Sequence, residues 1–168
     1  MKKLFIILLT FAAITATAQP HSEFIKARRT TWKKTVLNIG ISLVSVTLEM
    51  TGDALYDMGK KSGNKSQMQW GHALQATGYV VPLVSIPFLV KRYRNKTIID
   101  VGVIVGTYGL VRFATADLFY NLTAGENPLY VGNVSGYDNV MSQMPPDGRA
   151  FVKTISFGLA FGININYW

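Results

Sequence analysis

The stretch that decides the fold is IIDVGVIVGTYGLVRFATADLFYN, residues 98–121, an apolar run with Arg112 and Asp117 inside it. A charge near the middle of a bilayer costs roughly 2.5 to 3.5 kcal/mol on insertion scales, whereas each Leu, Ile, Val or Phe contributes only roughly 0.3 to 0.6 kcal/mol. The two charges therefore nearly cancel the apolar gain. Whether this segment crosses a membrane or lies in a soluble core, both charges need partners elsewhere in the chain.

The first expected partner lies on the preceding apolar segment. Arg112 and Asp117 are five residues apart, which is about 140° around a helix, so they cannot neutralise each other well. Glu49, Asp53 and Asp57 recur at every fourth residue and form one stripe on a helix surface. Arg112 is therefore expected to pair with Glu49 or Asp53.

Asp117 has fewer candidates. Its expected partners are Asn121 in the next turn, His72 or a bound cation. The sequence predicts that these groups meet in one polar interior, made of Glu49, Asp53, His72, Arg112, Asp117 and Asn121.

Composition places the chain among membrane proteins. Its 168 residues suit a single domain, with 49% hydrophobic residues, 15% charged residues and a mean hydropathy of +0.21. There is no cysteine, which excludes disulfides, thiolate metal sites and cysteine nucleophiles. The formal charge is +8, but most basic residues flank apolar runs, so we expect contact with anionic lipid and no nucleic-acid partner.

The first eighteen residues have the three parts of a secretory signal. Lys2 and Lys3 precede a short apolar run, and Ala16-Thr17-Ala18 matches a signal-peptidase site. We expect cleavage there, leaving residues 19–168 as one helical membrane domain. The expected location is a bacterial cell membrane, the inner membrane being favoured over the outer one.

The remaining apolar runs predict a small polytopic bundle of three or four helices. They are Val36–Leu48, Ala73–Val90 with two prolines, and the deciding stretch. Glycine, proline and polar residues predict a loop at 59–69 and a long irregular loop at 123–149.

The last segment, residues 150–168, is ambiguous. Its large apolar residues alternate with small or polar ones from Ile155 to Tyr167, which is the period of a strand. Together with the export signal, this pattern makes an outer-membrane β-barrel the structural alternative. Because the earlier segments do not alternate, we favour a final helix and an all-α fold.

The run RFATADLFYNLTAGENPLYVG, residues 112–132, resembles a motif of uncharacterised small integral membrane proteins of bacteria and their phages. Its pattern is Arg-x4-Asp-x3-Asn-x3-Gly-x2-Pro-x-Tyr-x-Gly, and Gly52-Asp53 and Gly71-His72-Ala73-Leu74 are similar to the same group. The resemblance implies a helical membrane protein and no particular activity.

One functional hypothesis is a membrane-embedded, metal-dependent hydrolase acting on a lipid or another phosphate-containing substrate. Carboxylates and an imidazole can hold a divalent metal ion that activates water, and an arginine can stabilise a phosphate. The candidate metal ligands are Glu49, Asp53, Asp57, His72 and Asp117. The candidate catalytic residues are Glu49, Asp53, His72, Arg112 and Asp117. Their spacing matches no established metal signature.

The favoured hypothesis is an accessory or structural membrane protein with a buried charged network. Gly102 and Gly106, and likewise Gly158 and Gly162, have the Gly-x-x-x-Gly spacing that lets two membrane helices approach closely. We expect these faces to contact a second copy or another membrane protein. A small channel or transporter subunit is the remaining alternative, because buried charges also line polar paths.

Overall fold

A computed structural model describes residues 22–90, 97–128 and 136–168, with side chains from residue 31 and, in the last range, from residue 138. The described residues contain helices and no strand, so the all-α prediction is confirmed and the β-barrel alternative is not supported. The predicted leader, 1–18, lies outside them. The helices are α1 (Ser22–Ser62), α2 (Lys65–Leu89), α3 (Thr97–Ala124), α4 (Gly136–Ser142) and α5 (Pro146–Tyr167).

The connection between α1 and α2 is much shorter than the loop predicted at 59–69, and that prediction is wrong. Gly63 has a φ of 71°, the left-handed conformation in which helices commonly end on glycine. The side chain of Asn64 then caps α2 by accepting a hydrogen bond from the backbone N–H of Gln67 at 3.2 Å. Two residues therefore suffice to reverse the chain.

The stretch predicted to be irregular, 123–149, also contains helix. The short helix α4 lies within it, and α5 begins at Pro146, where proline is favoured because a first-turn N–H has no intrahelical acceptor. Residues 129–135 of this stretch lie outside the described ranges. At the C-terminus, the alternating pattern that suggested a strand belongs to helix α5.

Helices α1 and α3 run in the same direction. Asn38 contacts Thr107 near one end of this pair, and Asp57 contacts Tyr120 near the other. A small apolar cluster fills the space between them and α5: Ile39, Val46, Met50, Val111 and Ala160.

Helix α5 runs opposite to α3 along its surface. Lys153, early in α5, contacts Asp117 late in α3, and Tyr167 at the end of α5 contacts Asp100 at the start of α3. Its outward face carries one apolar residue per turn: Phe151, Ile155, Leu159 and Ile163.

Helices α1 and α2 form an antiparallel pair with backbone against backbone. An ideal Cβ on Gly52 would lie 2.5 Å from the backbone nitrogen of Gln75, and one on Gly78 would lie 2.7 Å from that of Glu49. Real Cβ atoms do not approach so closely, so only glycine fits at these positions. The glycines in this contact recur at seven-residue spacing on each helix: Gly52 and Gly59 on α1, Gly71 and Gly78 on α2.

The distribution of polar and apolar side chains is the reverse of that in a water-soluble domain, with polar residues inside and large apolar ones outside. Buried polar residues among the described side chains are as prominent as buried apolar ones, while large apolar side chains such as Phe88 and Leu83 are exposed by 75% and 62%. Three helical segments are long and apolar enough to cross a membrane: Thr31–Ser62, Lys65–Leu89 and Thr97–Ala124. These observations indicate a membrane protein.

The glycine contacts predict a sharp difference between two equivalent substitutions. Gly78→Ala should lower the free energy of unfolding by about 1 to 3 kcal/mol, because the added methyl group must push α1 and α2 apart. Gly40→Ala on α1 should not lower it, because a Cβ there meets no atom within 4 Å. Unfolding in detergent, followed by tryptophan fluorescence, measures both. Equal losses for the two variants would contradict the packing described.

Candidate functional site

The inward face of α1 is a polar stripe. Thr35, Asn38, Ser42, Ser45 and Glu49 follow one another at three- or four-residue intervals, and all are buried. The half-buried Asp53 and Asp57 continue the stripe to residue 57. From residue 35 to residue 57 a helix rises about 33 Å, close to the hydrocarbon thickness of a bilayer. The stripe is therefore a polar column as long as the membrane core.

Glu49 is the charged centre of this column and is fully buried. Its carboxylate accepts hydrogen bonds from Nε of Arg112 at 3.0 and 3.1 Å, from Nη2 of Arg112 at 2.8 Å and from the hydroxyl of Tyr108 at 2.5 Å. The expected pairing of Arg112 with Glu49 is thus confirmed. The bidentate arrangement is the strongest geometry available to an arginine and a carboxylate.

The surroundings of Glu49 lie well below the membrane surface. Gly78 packs against the Glu49 backbone, and the exposed Trp70 lies eight residues earlier on α2, about 12 Å along the helix. Exposed tryptophans of this kind typically lie at headgroup depth. The Arg112 side chain leaves 45% of its surface outside the fold, although its partner Glu49 is completely enclosed.

The next two carboxylates of the stripe each receive a donor from a neighbouring helix. The amide of Gln75 on α2 donates to Asp53 at 2.5 Å, and the hydroxyl of Tyr120 on α3 donates to Asp57 at 2.7 Å. The sequence analysis did not predict Gln75 and Tyr120 as partners of these carboxylates. Neutral donors satisfy these carboxylates and tie α2 and α3 to α1.

Asp117 forms an ion pair with Lys153 of α5 at 2.5 Å. The sequence argument proposed His72, Asn121 or a cation and overlooked Lys153. The signal was present, because Lys153 is a charge inside a segment otherwise rich in apolar residues. The side chain of Asn121 is buried, and its amide nitrogen lies 3.5 Å from the carbonyl oxygen of Pro128.

His72 does not lie in the polar interior, and its placement there was wrong. It is exposed on α2, and its ring lies against that of Tyr56 with 4.4 Å between the ring centroids. The preceding residue, Gly71, takes part in the close α1–α2 contact, where only glycine fits.

The candidate metal ligands are distributed over separate partners. Among the residues that the structure describes, no group of three or more His, Asp or Glu side chains is placed to hold a metal ion. Glu49, Asp53 and Asp57 occupy successive turns of α1 and each bonds to a different neighbour, while Asp117 is bonded to α5. The geometry therefore lends no support to a divalent metal site built from these carboxylates.

A second polar cluster, missed from the sequence, joins α1, α3 and α5. The amide nitrogen of Asn38 donates to the Thr107 hydroxyl at 3.1 Å and to the amide oxygen of Asn164 at 2.8 Å. The amide nitrogen of Asn164 donates in turn to Thr107 at 2.7 Å, and the indole of Trp168 donates to the Asn164 oxygen at 2.9 Å. All three polar side chains are buried. The presence of uncharged asparagines in apolar segments was the sequence feature that could have indicated this cluster.

Fold and site together define a helical membrane protein with a hydrogen-bonded polar interior and an apolar exterior. No family model, curated protein or solved structure matches the chain. The resemblance to small bacterial and phage membrane proteins remains a prediction.

The Glu49–Arg112 pair makes a prediction about charge compensation. Arg112→Leu should destabilise the protein by about 3 kcal/mol, because it leaves the enclosed Glu49 carboxylate without its countercharge. The double variant Glu49→Gln with Arg112→Leu should recover much of that loss, since no uncompensated charge remains. Unfolding in detergent measures both, with Lys60→Leu on the exposed end of α1 as a control. A double variant as unstable as the sum of its single changes would contradict the pairing.

Proposed function

We propose that this chain is a structural or accessory protein of a bacterial cell membrane, the inner membrane being favoured, and that it acts by binding another membrane helix. The polar column supports a structural role, because its groups bond across helices: Glu49 to Arg112 and Tyr108, Asp53 to Gln75. Such bonds fix helix positions in surroundings where lipid offers no hydrogen bonds.

The observation that carries the proposal is an open glycine face on α3. Cβ atoms built on Gly102, Gly106 or Gly109 meet nothing within 4 Å, whereas backbone atoms of the neighbouring helix occupy the space beside the α1–α2 glycines. Glycine costs up to about 1 kcal/mol in a helix relative to alanine, so three within one helix face need a reason. Close approach of a further helix supplies it.

Arg112 supports the same face as a contact surface. It follows Gly109 by three residues, and nearly half of its side chain lies outside the fold at the depth of Glu49. Exposing a guanidinium to hydrocarbon is costly, and a neighbouring polypeptide would cover it and accept its remaining hydrogen bonds. A second copy of this chain is the partner that we expect first, with Gly158 and Gly162 as the other open pair on α5.

Cysteine crosslinking tests this proposal directly, because the natural chain contains no cysteine. Val105→Cys places a thiol beside Gly106 on the exposed face of α3, so oxidation in native membranes should give a covalent dimer. Adding Gly106→Leu to that variant should abolish the dimer. Val84→Cys, equally exposed on α2, is the matched control and should stay monomeric. Equal crosslinking at both positions would reject α3 as the specific face.

A channel or transporter subunit is a second candidate, and the length of the polar column favours it. Hydroxyl, amide and carboxylate groups recur at every turn of α1 over about 33 Å, which is the arrangement a proton or ion path requires. Protein reconstituted in liposomes should then carry a proton or cation flux that Glu49→Gln reduces at least tenfold. Flux equal to that of empty liposomes would remove this candidate.

The metal-dependent hydrolase remains the third hypothesis, and no arrangement of the described residues favours it over the other two. Metal analysis of purified protein decides it, with Asp53→Asn as the comparison. Stoichiometric divalent metal that disappears in Asp53→Asn would revive it, and its absence from both proteins would dismiss it.

A further inference from the structure

An apolar groove runs along the outward faces of α1 and α2. It consists of two clefts of about 410 and 380 Å³, which adjoin because Val81 lines both. Volumes of this order suit a small-molecule ligand. Val36 and Val44 of α1 and Val80 and Val84 of α2 also line the groove, and each is exposed by 48 to 59%. The groove is therefore open to the surroundings of the bundle along its length.

The lining of the groove offers a ligand no hydrogen bond. Thr77 is the one lining residue with a polar side chain, and its hydroxyl already donates to the carbonyl of Ala73 at 2.8 Å. A polar ligand placed here would lose its bonds to water without replacement. The lining therefore selects a hydrocarbon ligand.

The length of the groove follows from how the two helices are paired. Gly78 of α2 packs against the backbone of Ser45 and Glu49, so Ala76, two residues earlier on this antiparallel helix, is level with about residue 49 of α1. The groove thus extends from Val36 to that level, about 20 Å along α1. One leaflet contributes about 15 Å of hydrocarbon to a bilayer. An acyl chain of one leaflet can therefore lie in the groove from its ester end to the middle of the membrane.

A cation and an aromatic ring stand at the Val36 end. Trp32 and Lys33 are exposed and precede Val36 and Leu37 by four residues each, so they continue the groove face by one helical turn. The next lysine, Lys34, is used inside the bundle, where its ammonium donates to the Leu89 carbonyl at 2.8 Å. Exposed tryptophans lie at headgroup depth, and lysines beside them attract anionic headgroups.

We propose that this groove is a binding site for one anionic phospholipid, with an acyl chain along α1 and α2 and the phosphate on Lys33. A second helix fits the groove less well. Helices approach closely in this protein where glycine lets backbones touch, as at Gly52 and Gly78, whereas branched valines stand along the groove. The site lies away from α3, so it is independent of the proposed contact face.

The test begins with the full chain purified from membranes in a mild detergent. Native mass spectrometry should find one phospholipid retained per chain, predominantly anionic. After this lipid is removed, dioleoylphosphatidylglycerol should raise the midpoint of thermal unfolding by roughly 5 to 10 °C at a hundredfold excess over its dissociation constant. Dioleoylphosphatidylcholine, with the same chains, should raise it less. Inorganic phosphate, which has no chain, should not raise it.

Two variants separate the groove from its cationic end. Val44→Phe fills the groove from an exposed position and should abolish lipid retention. Lys33→Gln should still retain a lipid but lose the preference for phosphatidylglycerol. The matched controls are Ile155→Phe on the exposed apolar face of α5 and Lys60→Gln at the other end of α1, and both should behave as the natural chain.

Four results would each overturn the proposal. They are a purified protein without lipid that neither phospholipid stabilises, full retention in Val44→Phe, an unchanged anionic preference in Lys33→Gln, and a covalent dimer through Val84→Cys. The last result would show that a second copy of the chain covers the groove, because Val84 lines it.

Discussion

Hydrocarbon offers no hydrogen bonds, and that constraint explains why the carboxylates of Glu49, Asp53 and Asp117 each bond to a donor on a neighbouring helix. Glu49 is completely enclosed and receives its donors from Arg112 and Tyr108 on the neighbouring helix. The same requirement is met by a neutral amide at Asp53 and by a lysine at Asp117. In water these bonds would each contribute little, because solvent competes for the same groups. In a membrane their loss leaves a polar group with no alternative partner, so they determine which helices stay together.

Glycine supplies the second constraint, since it sets how closely α1 can approach α2. The backbones touch at Gly52 and Gly78, so the polar stripe of α1 is brought against α2 without intervening side chains. The hydroxyl of Ser45 then donates to the carbonyl of Gly78 across the contact. Apolar side chains cannot drive this association where lipid is equally apolar, and close packing with interhelical hydrogen bonds replaces them.

The sequence predicted the helical class and the central ion pair because both follow from strong local signals. Long apolar runs allow few structures in a membrane, and an arginine within such a run, Arg112, needs an acid on another helix. It did not predict which glycines pack. Gly102 and Gly106 have the familiar four-residue spacing yet face open space, whereas Gly52 and Gly59, seven apart, make the contact. Spacing shows which residues share a face, but the partner helix decides which face is used. The sequence also did not predict the Asn38–Thr107–Asn164 cluster, because neutral polar residues carry no charge that requires a partner.

The central claim is that lipid surrounds the apolar exterior while the Glu49 column lies inside. Spin labels on single cysteines test it most directly, by comparing collisions with oxygen, which concentrates in hydrocarbon, and with a water-soluble nickel complex. Labels at Leu83 on α2 and Leu159 on α5, both exposed and apolar, should collide preferentially with oxygen in reconstituted bilayers. A label at Lys60, at the polar end of α1, should prefer nickel. Nickel collisions dominating at Leu83 and Leu159 would place these faces in water and contradict the account.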